Sequence, residues 1–178
     1  MKGSVLRVQG TGELKLNAEE SIIALLRSPD TPNNDSETAW NSPVNGKTRL
    51  VKELFLISKE TESGTKGIFS FDFSPGPYGP SSFEVTDAMK NLELAGKINV
   101  DKISGTKNSR ISLTEIGVKE GENIWKKLPT AVKNDIFSIK SKFKNINYWQ
   151  LISYVYRAYP SYTVNSLIRD HAFSNTGL

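Results

Sequence analysis

Apolar side chains recur at the spacing of a helix face in several stretches of the chain, and these stretches predict most of the fold. Asn17 with Glu20, and Asn147 with Gln150, have the spacing of a capping box at the start of two such stretches. Residues 28–47 are rich in Ser, Pro, Asn, Asp and Gly, which predicts a long exposed loop. The predicted helices cover residues 18–27, 48–59, 82–95, 115–128, 130–144 and 148–159.

A shorter pattern predicts β-structure in the middle of the chain. Residues 68–73 alternate between apolar and polar, as a half-buried strand does. They lead into residues 74–80, a segment rich in proline and glycine that predicts a rigid turn. Ser81 and Glu84 then have the spacing of another capping box, which opens the third helix.

Residues 97–100 and 110–113 predict an antiparallel hairpin with its turn over residues 104–109. Helices followed by a hairpin are the winged-helix arrangement, in which the hairpin is the wing and the helix over residues 82–95 takes the recognition position. The predicted fold class is therefore mostly α with a small β-hairpin (α+β): a winged helix-turn-helix followed by a C-terminal helical extension. The predicted organisation is an N-terminal arm or edge strand (1–17), a winged-helix domain (18–128) and a C-terminal helical extension (129–178).

Four local patterns are similar to those of a known family. Residues 48–56 resemble a T-R-L-x-K-L-x-F-L helix, and residues 113–117 match the L-T-x-x-G that follows the wing in many winged-helix regulators. Residues 73–80 end in Tyr-Gly-Pro and precede a helix that ends in an L-x-x-x-G-x-I-like stretch, and residues 151–160 resemble a Y-V-Y-x-x-Y-P helix. Together, over about residues 18–168, they resemble the YwgA-like winged-helix proteins of bacteria and archaea, and more distantly the SocA/Panacea antitoxin group. The resemblance implies a winged-helix fold and a regulatory role, and it carries over no catalytic residues.

The composition argues against catalysis. There is no cysteine, which excludes disulfides, thiolate nucleophiles and cysteine-ligated metals, and the single histidine is His171 near the C-terminus. The carboxylates form no paired acidic motif and no metal-ligand spacing. We therefore predict no enzyme, no cofactor and no metal. The chain also has no stretch of about 20 apolar residues and no signal-peptide core, so we predict a cytoplasmic protein without membrane contact.

The basic excess points to nucleic acid as a partner. The formal net charge is +4, and residues 129–178 carry six basic and two acidic side chains, a net of +4. Such a surface recruits nucleic acid, although it also serves solubility alone. Our first hypothesis is a winged-helix regulator bound to double-stranded DNA, with Lys90 and Asn91 near bases. Its other predicted DNA contacts are Lys102, Lys107, Asn108 and Arg110 on the wing, and Lys140 and Lys144 on the helix 130–144 and its end.

The second hypothesis is a protein-interaction module on the same scaffold, antitoxin-like or an adaptor. The helix over residues 82–95 carries three acidic side chains and one basic one, which is unfavourable beside phosphates. Its predicted outward face includes Phe83, Asp87 and Leu94, which suit a protein contact. The tyrosines of residues 148–162 exceed the needs of one small core, and with the helix 130–144 they predict a homodimer.

Overall fold

The computed structural model describes residues 13–31 and 39–174. Most of the predicted N-terminal arm, residues 1–12, lies outside the described residues. The fold is mostly helical with a small antiparallel sheet, as predicted. The helices are α1 (Ala18–Arg27), α2 (Lys47–Glu60), α3 (Glu62–Thr65), α4 (Phe83–Leu94), α5 (Glu115–Lys127), α6 (Thr130–Phe143), α7 (Tyr148–Ala158) and α8 (Arg169–Ser174), with a 3-10 helix (Pro160–Thr163) before α8. The strands are β1 (Val44–Asn45), β2 (Ser74–Gly76), β3 (Gly79–Ser81), β4 (Ile98–Lys102) and β5 (Ser109–Leu113).

Side-chain caps begin α1, α3, α4, α5 and α7, and one predicted cap is wrong by a residue. The capping boxes that begin α1 and α7 are both confirmed. At α4 the cap is Ser82, whose Oγ accepts a hydrogen bond from the Val85 amide at 3.3 Å. Ser81 instead pairs with Ser74 across the β2–β3 hairpin, and the Glu84 carboxylate accepts from the Asp72 amide at 2.7 Å. Both members of the predicted box are therefore engaged elsewhere.

The predicted hairpin over residues 97–113 is confirmed, and it gains a third strand. β4 and β5 pair antiparallel from Ile98 opposite Leu113 to Lys102 opposite Ser109. The two-residue strand β1 adds to the outer side of β5, with Val44 opposite Ile111. Because β1 is so short and follows a polar loop, no periodicity marks it in the sequence.

The predicted strand over residues 68–73 is wrong, although its burial pattern is right. Phe69 and Phe71 are buried, whereas Ser70 and Asp72 are exposed. Among residues 13–31 and 39–174, the bridge to this segment comes from Leu16, through its amide to the Ile68 carbonyl at 2.7 Å and its carbonyl to the Ser70 amide at 2.8 Å. Regular pairing in this region forms instead between β2 and β3, inside the predicted rigid turn.

One hydrophobic core holds both predicted parts of the chain together. α2 is the central helix, and the eight consecutive residues from 50 to 57 within it are all buried. α6 and α7 pack on α2, so residues 129–174 share its core rather than forming one of their own. The predicted apolar stripe of α6 is confirmed as buried: Val132, Ile136, Ile139 and Phe143. None of the helices within residues 13–31 and 39–174 is both long and apolar enough to cross a membrane.

Two glycines of the family-like motifs permit close approaches. Gly79 has φ +81°, and a Cβ there would lie 2.6 Å from Cε1 of the buried Tyr156. A Cβ at Gly117 would lie 2.0 Å from the Lys97 carbonyl oxygen, where α5 meets the start of the hairpin. These glycines therefore set how β3 packs on α7 and how α5 packs against the hairpin.

Candidate functional site

The outward face of α4 exposes apolar side chains. Val85, Met89 and Leu92 are buried, and they fix the orientation of the helix. Positions 83, 87, 90 and 94 follow at i, i+4, i+7 and i+11 and share one outward face. Phe83 and Leu94 are each 87% exposed at its two ends, about 16 Å apart along the helix axis.

The polar residues of α4 are already engaged within the chain. Lys90 Nζ lies 3.6 Å from Asp87 Oδ1, between the two apolar residues. The Asn91 side-chain amide donates to Glu19 Oε1 of α1 at 3.4 Å. Lys90 is the one base on α4, against the acids Glu84, Asp87 and Glu93. The face is therefore apolar at both ends, with an ion pair between them and an acidic surround.

The β4–β5 hairpin presents free basic side chains. Lys102 and Arg110 lie on its two strands, and Lys107 and Asn108 lie in its turn. All four are exposed. Within the described part of the chain, no carboxylate lies within 4 Å of the three cations, although Asp101 pairs with Arg110 across the strands. The hairpin thus brings together four of the predicted DNA contacts.

Lys140 is not a surface residue, so its predicted phosphate contact is wrong. The side chain is 3% exposed, and Nζ donates to the carbonyls of Leu25 (2.7 Å), Leu26 (3.2 Å), Ser28 (2.6 Å) and Ser42 (2.8 Å). Three of these carbonyls belong to the end of α1 and its cap, where the helix leaves carbonyls without partners and its dipole favours a cation. Burial lowers the pKa of Lys140 to about 7, against the attraction of Glu53 and Asp30.

The lysines around Lys140 also have partners within the chain. Lys144 Nζ lies 3.0 Å from Asp30 Oδ1, and Ser42 Oγ donates to the same carboxylate at 2.5 Å. Burial opposes ionisation of Asp30, but these contacts outweigh it and lower the pKa of the carboxyl. Lys142 lies near Glu60 (3.5 Å) and donates to Tyr154 Oη (3.1 Å). The end of α6 therefore offers phosphate much less free charge than its sequence indicates.

A group of buried charges on α2 is missing from the sequence-based predictions. Arg49 donates to the carbonyls of Phe143 (2.9 Å) and Ile146, at the end of α6. Glu53 is 2% exposed; its Oε1 lies 3.6 Å from Arg49 Nη1, and its Oε2 has no hydrogen-bond partner in the described structure. Burial raises the pKa of Glu53 to about 7, although Arg49 and Lys140 oppose this. Arg49, Lys52 and Glu53 are interspersed among the apolar positions 50, 51 and 54–57 of α2, and this is the sequence signal that could have pointed to them.

A cavity of about 520 Å³ opens beside these charges. Its walls come from α2, β1, the hairpin turn and the connection between α6 and α7. Asn108 of the hairpin turn also lines it, so this residue belongs both to the hairpin surface and to the cavity. The charged lining residues are Asp30, Arg49, Glu53, Lys140 and Lys144.

No protein-family model matches this chain, and no curated protein matches its sequence. Function therefore has to be argued from the side chains themselves.

The tyrosines that predicted a dimer surface are used inside the chain. Tyr156 is fully buried, and the rings of Tyr159 and Tyr162 pack edge-on against Phe55, with centroids 4.9 Å apart in each case. Tyr159 also donates to Glu60 at 3.3 Å, and burial together with this carboxylate raises its pKa to about 12. The homodimer stays a prediction, without support from unused tyrosines.

The remaining chemical candidates form no reactive group. His171 lies on α8 with its ring 5.6 Å from that of Trp149, and no hydrogen bond among the described residues joins its imidazole to a serine or a carboxylate. No cluster of three metal-ligating side chains occurs within residues 13–31 and 39–174. Three surfaces therefore remain as sites: the α4 face, the hairpin and the charged cavity.

Proposed function

We propose that this chain is a protein-interaction module, antitoxin-like or an adaptor, that contacts its partner through the outward face of α4. The observation that carries the proposal is the exposure of Phe83 and Leu94, 87% each, on one face of a helix that the core holds in place. Burying a large apolar side chain contributes about 1.5–3 kcal/mol, so two such residues on a rigid helix make an anchor for a partner. The resemblance to the SocA/Panacea antitoxin group supports the same role.

The charges of α4 define what the partner offers. Three acids and one base give the helix a net charge of −2, and Asp87 already holds Lys90. A protein surface with two apolar pockets about 16 Å apart and basic side chains at their edges complements this face. The same charges disfavour DNA, because a helix in the major groove lies among phosphates.

Photocrosslinking in cells tests this contact directly. A photoreactive amino acid replaces Phe83 or Leu94 in turn, and in control variants it replaces the exposed residues Asn99 of β4 or Lys126 of α5. We expect the same protein to be captured from positions 83 and 94 and not from the controls. Capture of that protein equally from all four positions, or of no protein from 83 and 94, would contradict the proposal. Capture of a second copy of this chain would make the α4 face a homodimer contact instead.

A second candidate function is DNA binding by a winged-helix regulator through the hairpin. The observation in its favour is that Lys102, Lys107 and Arg110 are exposed together and free of ion pairs among the described residues. Such side chains contact phosphates or enter a minor groove. If these three hairpin cations each contact a phosphate, the affinity should depend on salt with a log–log slope of about −3. Both candidates place the chain in the cytoplasm and give it no catalytic role.

Binding to random duplex DNA at low salt tests the second candidate. We expect Lys107→Glu with Arg110→Glu to weaken binding at least about tenfold, since two phosphate contacts become repulsive. The matched control is Lys119→Glu with Lys126→Glu, the same charge change on exposed positions of α5. Equal losses of DNA affinity in the two double variants would show that only the net charge of the chain matters, not the hairpin. If the wild-type chain binds no DNA, the second candidate function is wrong.

A further inference from the structure

The charged cavity contains a hydrogen-bond acceptor that the chain leaves unused. Glu53 lines the cavity, is 2% exposed, and has no hydrogen-bond donor for its Oε2 among the described residues. A buried carboxylate oxygen without a donor costs about 1–3 kcal/mol or more. Such a group in a native protein requires an explanation, and a bound molecule that donates a hydrogen bond to it is one.

The charges of the lining narrow the class of that molecule. Three cations and two carboxylates give the cavity a net charge of +1, and a cationic ligand at Glu53 would lie beside Arg49 and Lys140. Each of the three cations already has acceptors within the chain. Nζ of Lys140 lies within hydrogen-bond distance of four carbonyl oxygens, and Arg49 donates to two carbonyls. Lys144 forms an ion pair with Asp30. A neutral ligand with N–H donors therefore fits better than either a cation or an anion.

The rest of the lining favours a flat, polar ligand. Asn45, Asn108 and Asn145 line the cavity, and a side-chain amide both donates and accepts, as the edge of a nucleobase does. Tyr148 adds an aromatic wall on which a flat ring can stack. The volume of about 520 Å³ lies within the range of small-molecule sites.

We infer that this cavity binds a neutral, planar nitrogen heterocycle of the nucleobase or nucleoside type, with an N–H group donating to Glu53 and the asparagine amides contacting the ring edge. The site is separate from the α4 face, so it does not depend on the proposed function. It does include Asn108 of the hairpin turn, and the Gly46 amide of the β1–α2 junction donates to the adjacent Ser109 carbonyl at 2.7 Å. A bound ligand would thereby tie the hairpin to α2.

Calorimetric titration with adenosine, guanosine, cytidine and uridine tests the inference on the full chain. We expect saturable one-to-one binding of at least one nucleoside at concentrations up to about 1 mM. Glu53→Leu should weaken it at least about tenfold, because the acceptor is lost. Asn108→Ala should weaken it about threefold to tenfold, whereas Asn99→Ala, exposed on β4 outside the cavity, should leave it unchanged.

Thermal unfolding of the same variants separates ligand binding from folding. Glu53→Leu leaves the Arg49 guanidinium without its carboxylate, so its Tm should fall below that of the wild type, and binding is compared at a temperature at which each variant is folded. If Glu53→Leu does not fold, Glu53→Gln keeps the shape and one acceptor oxygen, and Asn108→Ala still tests the site. The inference is overturned if no nucleoside binds, if Glu53→Leu binds as tightly as the wild type, or if inorganic phosphate binds more tightly than every nucleoside.

Discussion

α6 and α4 both reverse the usual placement of side chains, and they do so in opposite senses. α6 carries a charge into the interior, because Lys140 is 3% exposed, whereas α4 leaves Phe83 and Leu94 on the surface at 87% exposure. The buried charge is satisfied by four carbonyls of the same chain. The exposed apolar pair is covered by nothing in the described structure. The buried lysine of α6 therefore serves the fold, whereas the exposed apolar pair of α4 is the surface on which we propose that a partner binds.

The largest effect should come from removing the buried cation of α6. Lys140→Met keeps the length of the apolar stem but leaves the carbonyls around the end of α1 without their donor, and we expect a loss of about 3 kcal/mol in the free energy of unfolding. Urea denaturation measures it. The control on the same helix is Lys142→Met, whose contacts to Glu60 and Tyr154 are at the surface and should contribute at most about 1 kcal/mol. Equal losses of unfolding free energy in the two variants would contradict the account, because Lys140 would then contribute no more than a surface lysine.

A second buried lysine should make stability depend on pH. Lys52 of α2 is 2% exposed and donates to the Pro80 carbonyl at 2.7 Å, and burial lowers its pKa to about 7. Between pH 7 and its ordinary value of 10.5 the unfolded chain binds more protons, so stability should rise with pH in this window. From pH 7 to pH 9 the rise from Lys52 should be about 2 kcal/mol.

Urea denaturation of Lys52→Met at both pH values isolates this contribution. The variant should show a rise from pH 7 to pH 9 that is smaller than that of the wild type by about 2 kcal/mol, with the remainder due largely to Lys140. The matched surface control is Lys102→Met on the hairpin, which should keep the full rise. An equal rise in Lys52→Met and in the wild type would show that burial does not lower the pKa of Lys52.

The smallest effect on stability should come from the exposed pair on α4. Phe83→Ser with Leu94→Ser removes no packing within the described chain, so the free energy of unfolding should change by no more than about 0.5 kcal/mol per residue. Thermal denaturation checks this. A loss of several kcal/mol would mean that both side chains are part of the core, and α4 would no longer contrast with α6.

Most of the helices could be predicted from the sequence, because their signals are local. A capping box depends on two residues three positions apart, as at Asn17 and Asn147. The apolar stripe of α6 likewise depends on residues three or four positions apart. The exposure of Phe83 and Leu94 also followed from the helical period of α4. Short strands such as β1 carry no period and depend on a distant partner, so they could not be predicted.

The charged interior could not be predicted, because its partners are distant in the sequence. Lys140 lies beside the apolar stripe of α6 at a position that suits a surface lysine, and only folding brings it to carbonyls more than 90 residues away. Glu53 and Arg49 likewise meet the end of α6 across a similar separation. Helical spacing shows on which face of its own helix a lysine lies, but it does not show which other helix ends against that face.

The affinity between variants of α4 and the partner that photocrosslinking identifies, purified separately, tests the central proposal most directly. We expect Phe83→Ala with Leu94→Ala to weaken the affinity at least about a hundredfold, since two anchors of roughly 1.5 kcal/mol or more each are lost. Lys107→Ala with Arg110→Ala on the hairpin should bind the partner as the wild type does. If the α4 variant retains wild-type affinity while the hairpin variant loses it, the contact lies on the hairpin and the proposal for α4 is wrong.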